Sequence, residues 1–206
     1  MNRRAMSNPA RRITRLFAAL TMACMLSPLL SACGPGEPPP LGGTRIGGPF
    51  TLVDKAGRTV RWDDFKGKWR IVYFGYTYCP DACPTDVGVM MRGFDKFASA
   101  HAARANGVQP LFITIDPARD TPARVGEFAA AFSPRLLGLS GSAAQVDQAA
   151  KAFLVYYGRG KDVPGGYEMD HSRIAYLMDR AGQPVAMLPV DRGPDVVAAE
   201  LAKWVK

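Results

Sequence analysis

The sequence predicts an α/β sandwich, and three observations carry that reading. Two dense β-branched and aromatic runs, "WRIVYFGYT" and "VQPLFITID", have the composition of strands buried on both faces. Each is followed by a segment whose apolar residues recur at helical spacing. A closing strand pair and a last amphipathic helix complete the alternation of strands and helices that marks this class.

The elements follow in order from the N-terminus. Residues 1–32 hold five arginines (Arg3, Arg4, Arg11, Arg12, Arg15), no acid, and the apolar run "LFAALTMACMLSPLLSA" from Leu16 to Ala32. The run is short for a membrane span and contains Pro28, so it reads as a targeting signal. It ends in "LSAC", and small residues immediately before Cys33 resemble the lipobox of bacterial lipoprotein precursors. That resemblance implies cleavage before Cys33 and a lipid on its thiol; the alternative is an uncleaved signal anchor. Both place the rest of the chain on the extracytoplasmic, periplasmic side, tethered to a membrane. "GPGEPPPLGGTRIGGP" then reads as a Gly/Pro-rich linker. The expected organisation is therefore a lipoprotein-type signal peptide at 1–32, a linker at 33–48 after lipidated Cys33, and one folded domain at 49–206.

Within that domain, "FTLVDKAGRTVRW" alternates on both sides of Lys55–Gly57 and predicts a β-hairpin. The strand from Trp69 to Thr77 leads into "YCPDACP", and the spacing of Val87, Met90, Met91, Phe94, Phe97 and Ala98 predicts a helix from about Pro84 to Ala103. The second buried strand runs from Val108 to Asp116. A helix with an early proline covers Thr121–Phe132, "RLLGLSG" is a short strand, and the positions Val146 to Tyr157 mark another helix. "SRIAYLMDRAGQPVAMLPV" predicts a strand pair around Ala181–Gly182, and a helix from Pro194 to about Val205 ends the chain. This order looks like the thioredoxin fold with an N-terminal β-hairpin and an inserted strand–helix unit. The cysteines would sit after a central strand and before a helix, where reactive groups gather in open α/β sheets.

Charge narrows the partners. The formal net charge is +8, from 26 basic and 18 acidic residues. Removing the five N-terminal arginines leaves 21 basic against 18 acidic, or +3, which gives no reason to propose nucleic acid. The expected membrane contact runs through the lipid anchor.

The chemistry lies in the cysteines. Of Cys24, Cys33, Cys79 and Cys83, the first would be discarded with the signal and the second lipidated. Cys79 and Cys83 remain, a close pair rather than a disulfide scaffold. Pro80 and Pro84 each disfavour helical backbone at the cysteine before them, which predicts a loop with Cys83 near the cap of the following helix. A helix N-terminus favours the thiolate, the form that both attacks disulfides and binds metals. Three residues between the cysteines, rather than two, make a loop wide enough for either use.

A third group tips the balance toward metal. The sequence has two histidines. His101 reads as an exposed residue at a helix end. His171, in "YEMDHSRIAYLMD", precedes a core strand at the point where a thioredoxin-like loop faces the cysteines. Two thiolates and an imidazole suit a soft or borderline ion: Cu(I) accepts three such ligands, Cu(II) accepts them with one more, and structural zinc would want a fourth from the protein. Met90, Met169 and Asp170 read as packing or surface residues, although Asp170 is also a candidate for orienting the imidazole. Asp116 and Asp120 in "IDPARDTP" read as turn and cap residues, with a supporting role near the site or a partner-docking role as the alternative for both.

"FGYTYCPDACP", "IDPARDTP" and "DHSRIAYLMD", in this order from about Ile46 to Lys206, resemble the Sco/SenC family of membrane-anchored, thioredoxin-like copper proteins. The resemblance implies Cys79, Cys83 and His171 as copper ligands. It also implies a metallochaperone that delivers Cu(I) or Cu(II) to the copper-accepting subunit of cytochrome c oxidase, for its dinuclear copper site. Other periplasmic copper chaperones and thiol reductases are further expected partners. The alternative within the family is a membrane-tethered thiol–disulfide reductase using the same cysteine pair. Arg180 stands in "MDRAG" where the family commonly has proline, a departure confined to a turn.

Overall fold

A computed structural model describes residues 37–206, of which Pro39–Lys206 form one compact unit. The signal segment, Cys24 and Cys33 lie outside the described residues. Among the described residues no helix is long and apolar enough to cross a membrane.

The central sheet has five strands in the order β5-β4-β3-β8-β9. β3 (Trp69–Gly75) lies at its middle, parallel to β4 (Val108–Thr114) and antiparallel to β8 (Ala175–Met178). β5 (Leu137–Leu139) extends the parallel side, and β9 (Pro184–Leu188) the antiparallel side. Every residue of β3 is buried, as its unbroken apolar run predicts. β1 (Thr51–Val53) and β2 (Thr59–Arg61) form the expected N-terminal hairpin.

Successive residues of β3 serve opposite faces. Tyr73 stacks on its β4 neighbour Phe112 at 6.2 Å, and Phe112 meets Phe128 of helix α2 (Pro122–Phe132) at 4.8 Å. Phe74 turns the other way, onto Phe153, which also meets Trp62 and Tyr176. Helix α1 (Ala82–Ala100) packs along α4 (Pro194–Trp204), where Gly93 brings the backbones close: a Cβ there would lie 2.6 Å from Val197 Cβ. Helix α3 (Ala143–Ala152) follows β5 and is capped by Ser142, with the reciprocal Gln145 bond of a capping box.

The main departures from expectation are two helix boundaries and an added hairpin. α1 begins at Ala82, so Cys83 lies in its first turn rather than in the preceding loop. Pro84 is tolerated there because first-turn N–H groups have no partner within the helix. α3 stops at Ala152, short of the expected Tyr157, because Leu154 takes a left-handed φ of 53° and turns the chain. The residues beyond it form an unanticipated hairpin, β6 (Tyr157–Val163) and β7 (Gly166–His171), which among the described residues is a separate two-stranded sheet.

Candidate metal centre

β3 ends at Gly75 and aims the chain toward the helix N-terminus. Glycine fits closely there: a Cβ would sit 3.0 Å from Cys83 Sγ, 3.0 Å from Tyr73 Cε1 and 3.1 Å from Phe112 Cε2, so each neighbour would have to give a little. The loop beyond is tied down by Asp120, which is fully buried. Its carboxylate accepts from the Thr77 amide (2.9 Å), the Thr77 hydroxyl (2.6 Å) and the Thr114 hydroxyl (2.7 Å). Asp120 thus supports the cysteine loop, while capping of α2 falls to the Thr121 hydroxyl, which accepts from the Arg124 amide.

Cys83 is fully buried at the start of α1, and Cys79 is half-buried in the loop. The Cys83 amide, one of the free N–H groups of the helix start, donates to Cys79 Sγ at 3.2 Å. Cys79 is accordingly held as a thiolate, its pKa drawn down to about 3. The Cys83 thiol contributes most to this, then His171 and the amides of Cys83 and Asp81, all against an opposing effect of burial. The Cys83 thiol is pushed the other way, first by sharing its proton with Cys79 and then by burial. One sulfur is therefore ionised and the other protonated. The two are free cysteines.

His171 closes the group from the last residue of β7. Its Nε2 lies 3.2 Å from Cys83 Sγ, and its Nδ1 lies 2.9 Å from the Ser172 carbonyl. A carbonyl only accepts, so Nδ1 carries a proton; Nε2 faces the sulfurs, donating to the Cys79 thiolate when the ring is charged and offering its lone pair to a metal when the ring is neutral. The rings of Tyr76 (5.9 Å, 89°) and Tyr73 (6.4 Å, 86°) stand perpendicular to the imidazole and frame it. The ligand atoms of Cys79, Cys83 and His171 all lie within 4.8 Å of one another, the one such cluster of three or more among the described residues. A cleft of about 290 Å³ opens over them, lined by Tyr76, Pro80, Asp81, Met169 and Asp170 among others.

The remaining expected residues fall into place around this cluster. Met90 is core and Met169 packs partly against it. Asp170 does not orient the imidazole: the Ser172 carbonyl does, and Asp170 is exposed. The reason is strand parity, since neighbours on β7 point to opposite faces, and Asp170 lies over Gly160 of β6. Asp116 touches no member of the cluster. Its carboxylate accepts from Arg119 Nε (2.5 Å) and from the Tyr167 hydroxyl (2.9 Å), so it reaches the hairpin that carries His171.

An ion pair built on a buried carboxylate is not visible in the sequence pattern. Asp86, three residues after Cys83, accepts from the Tyr73 hydroxyl (2.9 Å) and from both Nε (2.9 Å) and Nη2 (2.7 Å) of Arg173. It joins the helix that carries Cys83 to the segment just beyond His171. The available signal was an acid on the buried side of α1, where Val87, Met90 and Met91 mark the core face.

A family model described as SCO1/SenC matches residues 39–206. Protein SCO1 homolog 2, mitochondrial, of Arabidopsis thaliana is 37% identical over 175 residues, which cover 85% of this chain but only 62% of that relative's length. Protein SenC of Rhodobacter capsulatus is 37% identical over 186 residues, covering 90% of this chain and 81% of SenC. Among solved structures, the crystal structure of Arabidopsis thaliana ScoI with copper bound is 35% identical, with a TM-score of 0.72, over 77% of this chain and 96% of that one. The matched span runs from Pro39 to the C-terminus and takes in the cysteine loop, the Asp116–Asp120 turn and His171; the chain belongs to the SCO1/SenC family.

Proposed function

We propose that this protein is a copper carrier that takes up Cu(I) or Cu(II) through Cys79, Cys83 and His171 and hands it to the dinuclear copper site of cytochrome c oxidase during assembly. The observation that carries the reading is the convergence of three soft-to-borderline ligand atoms, from segments 88 residues apart, within 4.8 Å. The copper held by the similar Arabidopsis ScoI supports the choice of ion.

The residues divide the work. Cys79 offers a thiolate without first losing a proton, and Nε2 of His171 offers a lone pair whose direction the Ser172 carbonyl sets. Cys83 gives up its proton on ligation, so uptake releases one proton per ion. Three protein ligands under an open cleft leave a side through which an acceptor's ligands can enter. Cys79 lines that cleft and Cys83 is buried beneath it, which makes Cys79 the first ligand to exchange. In this reading Cys33 carries the lipid anchor, the short stretch between it and the folded unit that starts at Pro39 is the tether, and delivery takes place on the periplasmic side.

Titration of the reduced protein with Cu(I) tests the site. His171→Ala should weaken binding by more than the roughly 10–100-fold typical of losing an outer partner and should change the metal's spectroscopy. Unchanged affinity and spectra in that variant would end the three-ligand reading.

One observation favours a second reading, thiol–disulfide reduction: half-buried Cys79 accepts from the Cys83 amide at the helix start, which lowers its pKa, and lies beside the buried thiol of Cys83, the arrangement a reductase needs. The Cys79 thiolate would attack a substrate disulfide, releasing one substrate thiol and leaving a mixed disulfide. Cys83, after losing its proton, would then attack Cys79 Sγ, release the second substrate thiol and leave a Cys79–Cys83 disulfide. Substitution separates the two readings, because His171→Ala should spoil copper loading and leave thiol exchange largely intact. Deletion of the gene separates them in the cell: rescue of oxidase activity by added copper supports delivery, and rescue by a reductant alone supports thiol chemistry.

A further inference from the structure

The β6–β7 hairpin pairs only with itself among the described residues, so the ladder of the central sheet does not fix the position of His171. Side chains must hold the hairpin against the cysteine loop. One of them touches both. Arg119, in the turn after β4, sends Nη1 to the Tyr167 carbonyl of β7 (2.7 Å) and Nε to the Asp116 carboxylate (2.5 Å). Its guanidinium lies 3.5 Å over the Tyr167 ring on one side, and 4.8 Å and 5.8 Å from the rings of Tyr78 and Tyr76 in the cysteine loop.

The Tyr167 hydroxyl closes the circuit by donating to the same Asp116 carboxylate. Asp116 is 3% exposed, and its amide donates to the Thr114 hydroxyl at the end of β4, so the anchor itself is rigid. Room for the guanidinium comes from Gly166, where a Cβ would lie 3.2 Å from Nη1. Tyr167, Met169 and His171 alternate along β7 on one face, so fixing Tyr167 fixes the rail on which the imidazole stands.

From this geometry we infer that Arg119 is a positioning residue: it clasps the histidine hairpin to the cysteine loop and so sets the reach of His171 Nε2 toward the two sulfurs. The assignment rests on the copper-site reading above. It requires a planar, forked cation, because the same group must donate in two directions while stacking on aromatic faces. A lysine has the charge without the fork or the plane.

The test uses the full-length protein and two readouts. In the metal-free protein, Arg119→Ala should speed hydrogen exchange of the β6–β7 ladder amides by about tenfold or more, while amides of β3 and β4 keep their protection. In Cu(I) titrations, Arg119→Ala should weaken binding by about 10–100-fold, the range for losing a group that orients a ligand. Arg119→Lys should recover only part of that loss. Combined with His171→Ala, the arginine substitution should cause no further weakening, because its whole effect runs through the imidazole. Tyr167→Leu, which removes the same stack from the hairpin side, provides a second variant should Arg119→Ala fail to fold. An equal loss of affinity with and without His171, or hairpin exchange that does not change, overturns the clasp. Wild-type affinity that is indifferent to His171→Ala overturns the copper-site reading instead, and the metal-free exchange measurement then decides the clasp alone.

Discussion

The Asp86–Arg173 pair offers the sharpest test of how the site is held, because its two halves are buried unequally. The Asp86 side chain is 2% exposed, whereas that of Arg173 is 53% exposed. Removing the guanidinium by Arg173→Met keeps the apolar stem but strands the carboxylate in the core with the Tyr73 hydroxyl as its remaining hydrogen-bond donor. Breaking a buried pair in this way costs about 3–5 kcal/mol. Removing the carboxylate by Asp86→Ala is a different event. Arg173 can return to water, and the main cost is the Tyr73 hydroxyl, fully buried and now without its acceptor, at about 1–3 kcal/mol. For a domain of this size, a loss of 1 kcal/mol lowers the melting temperature by roughly 2–4 °C. Arg173→Met should therefore melt roughly 6–20 °C below wild type and Asp86→Ala roughly 2–12 °C below. The double substitution should fall close to Asp86→Ala, because the uncompensated charge is gone. Urea titrations followed by circular dichroism give the free energies directly. If Asp86→Ala proves as costly as Arg173→Met, or if the double variant loses the sum of both, the buried carboxylate is not what the arginine serves.

Three further predictions concern the thiols and the packing beneath them. Because Cys79 is drawn down to about pH 3, its thiolate fraction is already saturated at pH 5. Its alkylation by iodoacetamide in reduced, metal-free protein should be nearly flat from pH 5 to 8, where an ordinary thiol would gain about tenfold per unit; the ordinary slope would refute the assignment, and Cys83→Ala, which removes the largest cause, should restore part of it. The same depression makes a linkage prediction: its contribution to stability is complete above the pKa of an unfolded thiol and is lost as pH falls toward 3, so wild type should gain stability with rising pH more steeply than Cys79→Ala. Gly93→Ala should cost about 1–3 kcal/mol by forcing α1 away from Val197 and the Pro194 carbonyl. Copper affinity should not change in that variant, since the contact lies along the α1–α4 seam; a thermal melt and one titration check both.

Much of the fold could be read directly from residue patterns. β3 and β4 announce themselves as runs without polar interruption, because strands buried on both faces have no solvent side to mark. The β6–β7 hairpin was invisible for the opposite reason. "YGRGKDVPGGYEMDH" mixes glycine, charge and aromatics with no sustained period, since the hairpin lies outside the main core and is held by individual contacts. The end of α3 was misjudged because Phe153 is core while Leu154 and Tyr156 are exposed, and only the left-handed turn at Leu154 separates them.

At the site, Cys79, Cys83 and His171 stand out in the sequence as candidate ligands because thiols and imidazoles are scarce here, four cysteines and two histidines in all. What orients them could not be deduced in that way. The choice of the Ser172 carbonyl over Asp170 depends on strand parity, and the pairing of Asp86 with Arg173 and the bridge through Arg119 join segments far apart along the chain. Which side chains can offer a thiolate or an imidazole is a property of single residues, so the sequence shows the candidates. Ligand geometry is a property of contacts between segments, and those exist only once the hairpin has closed over the cysteine loop.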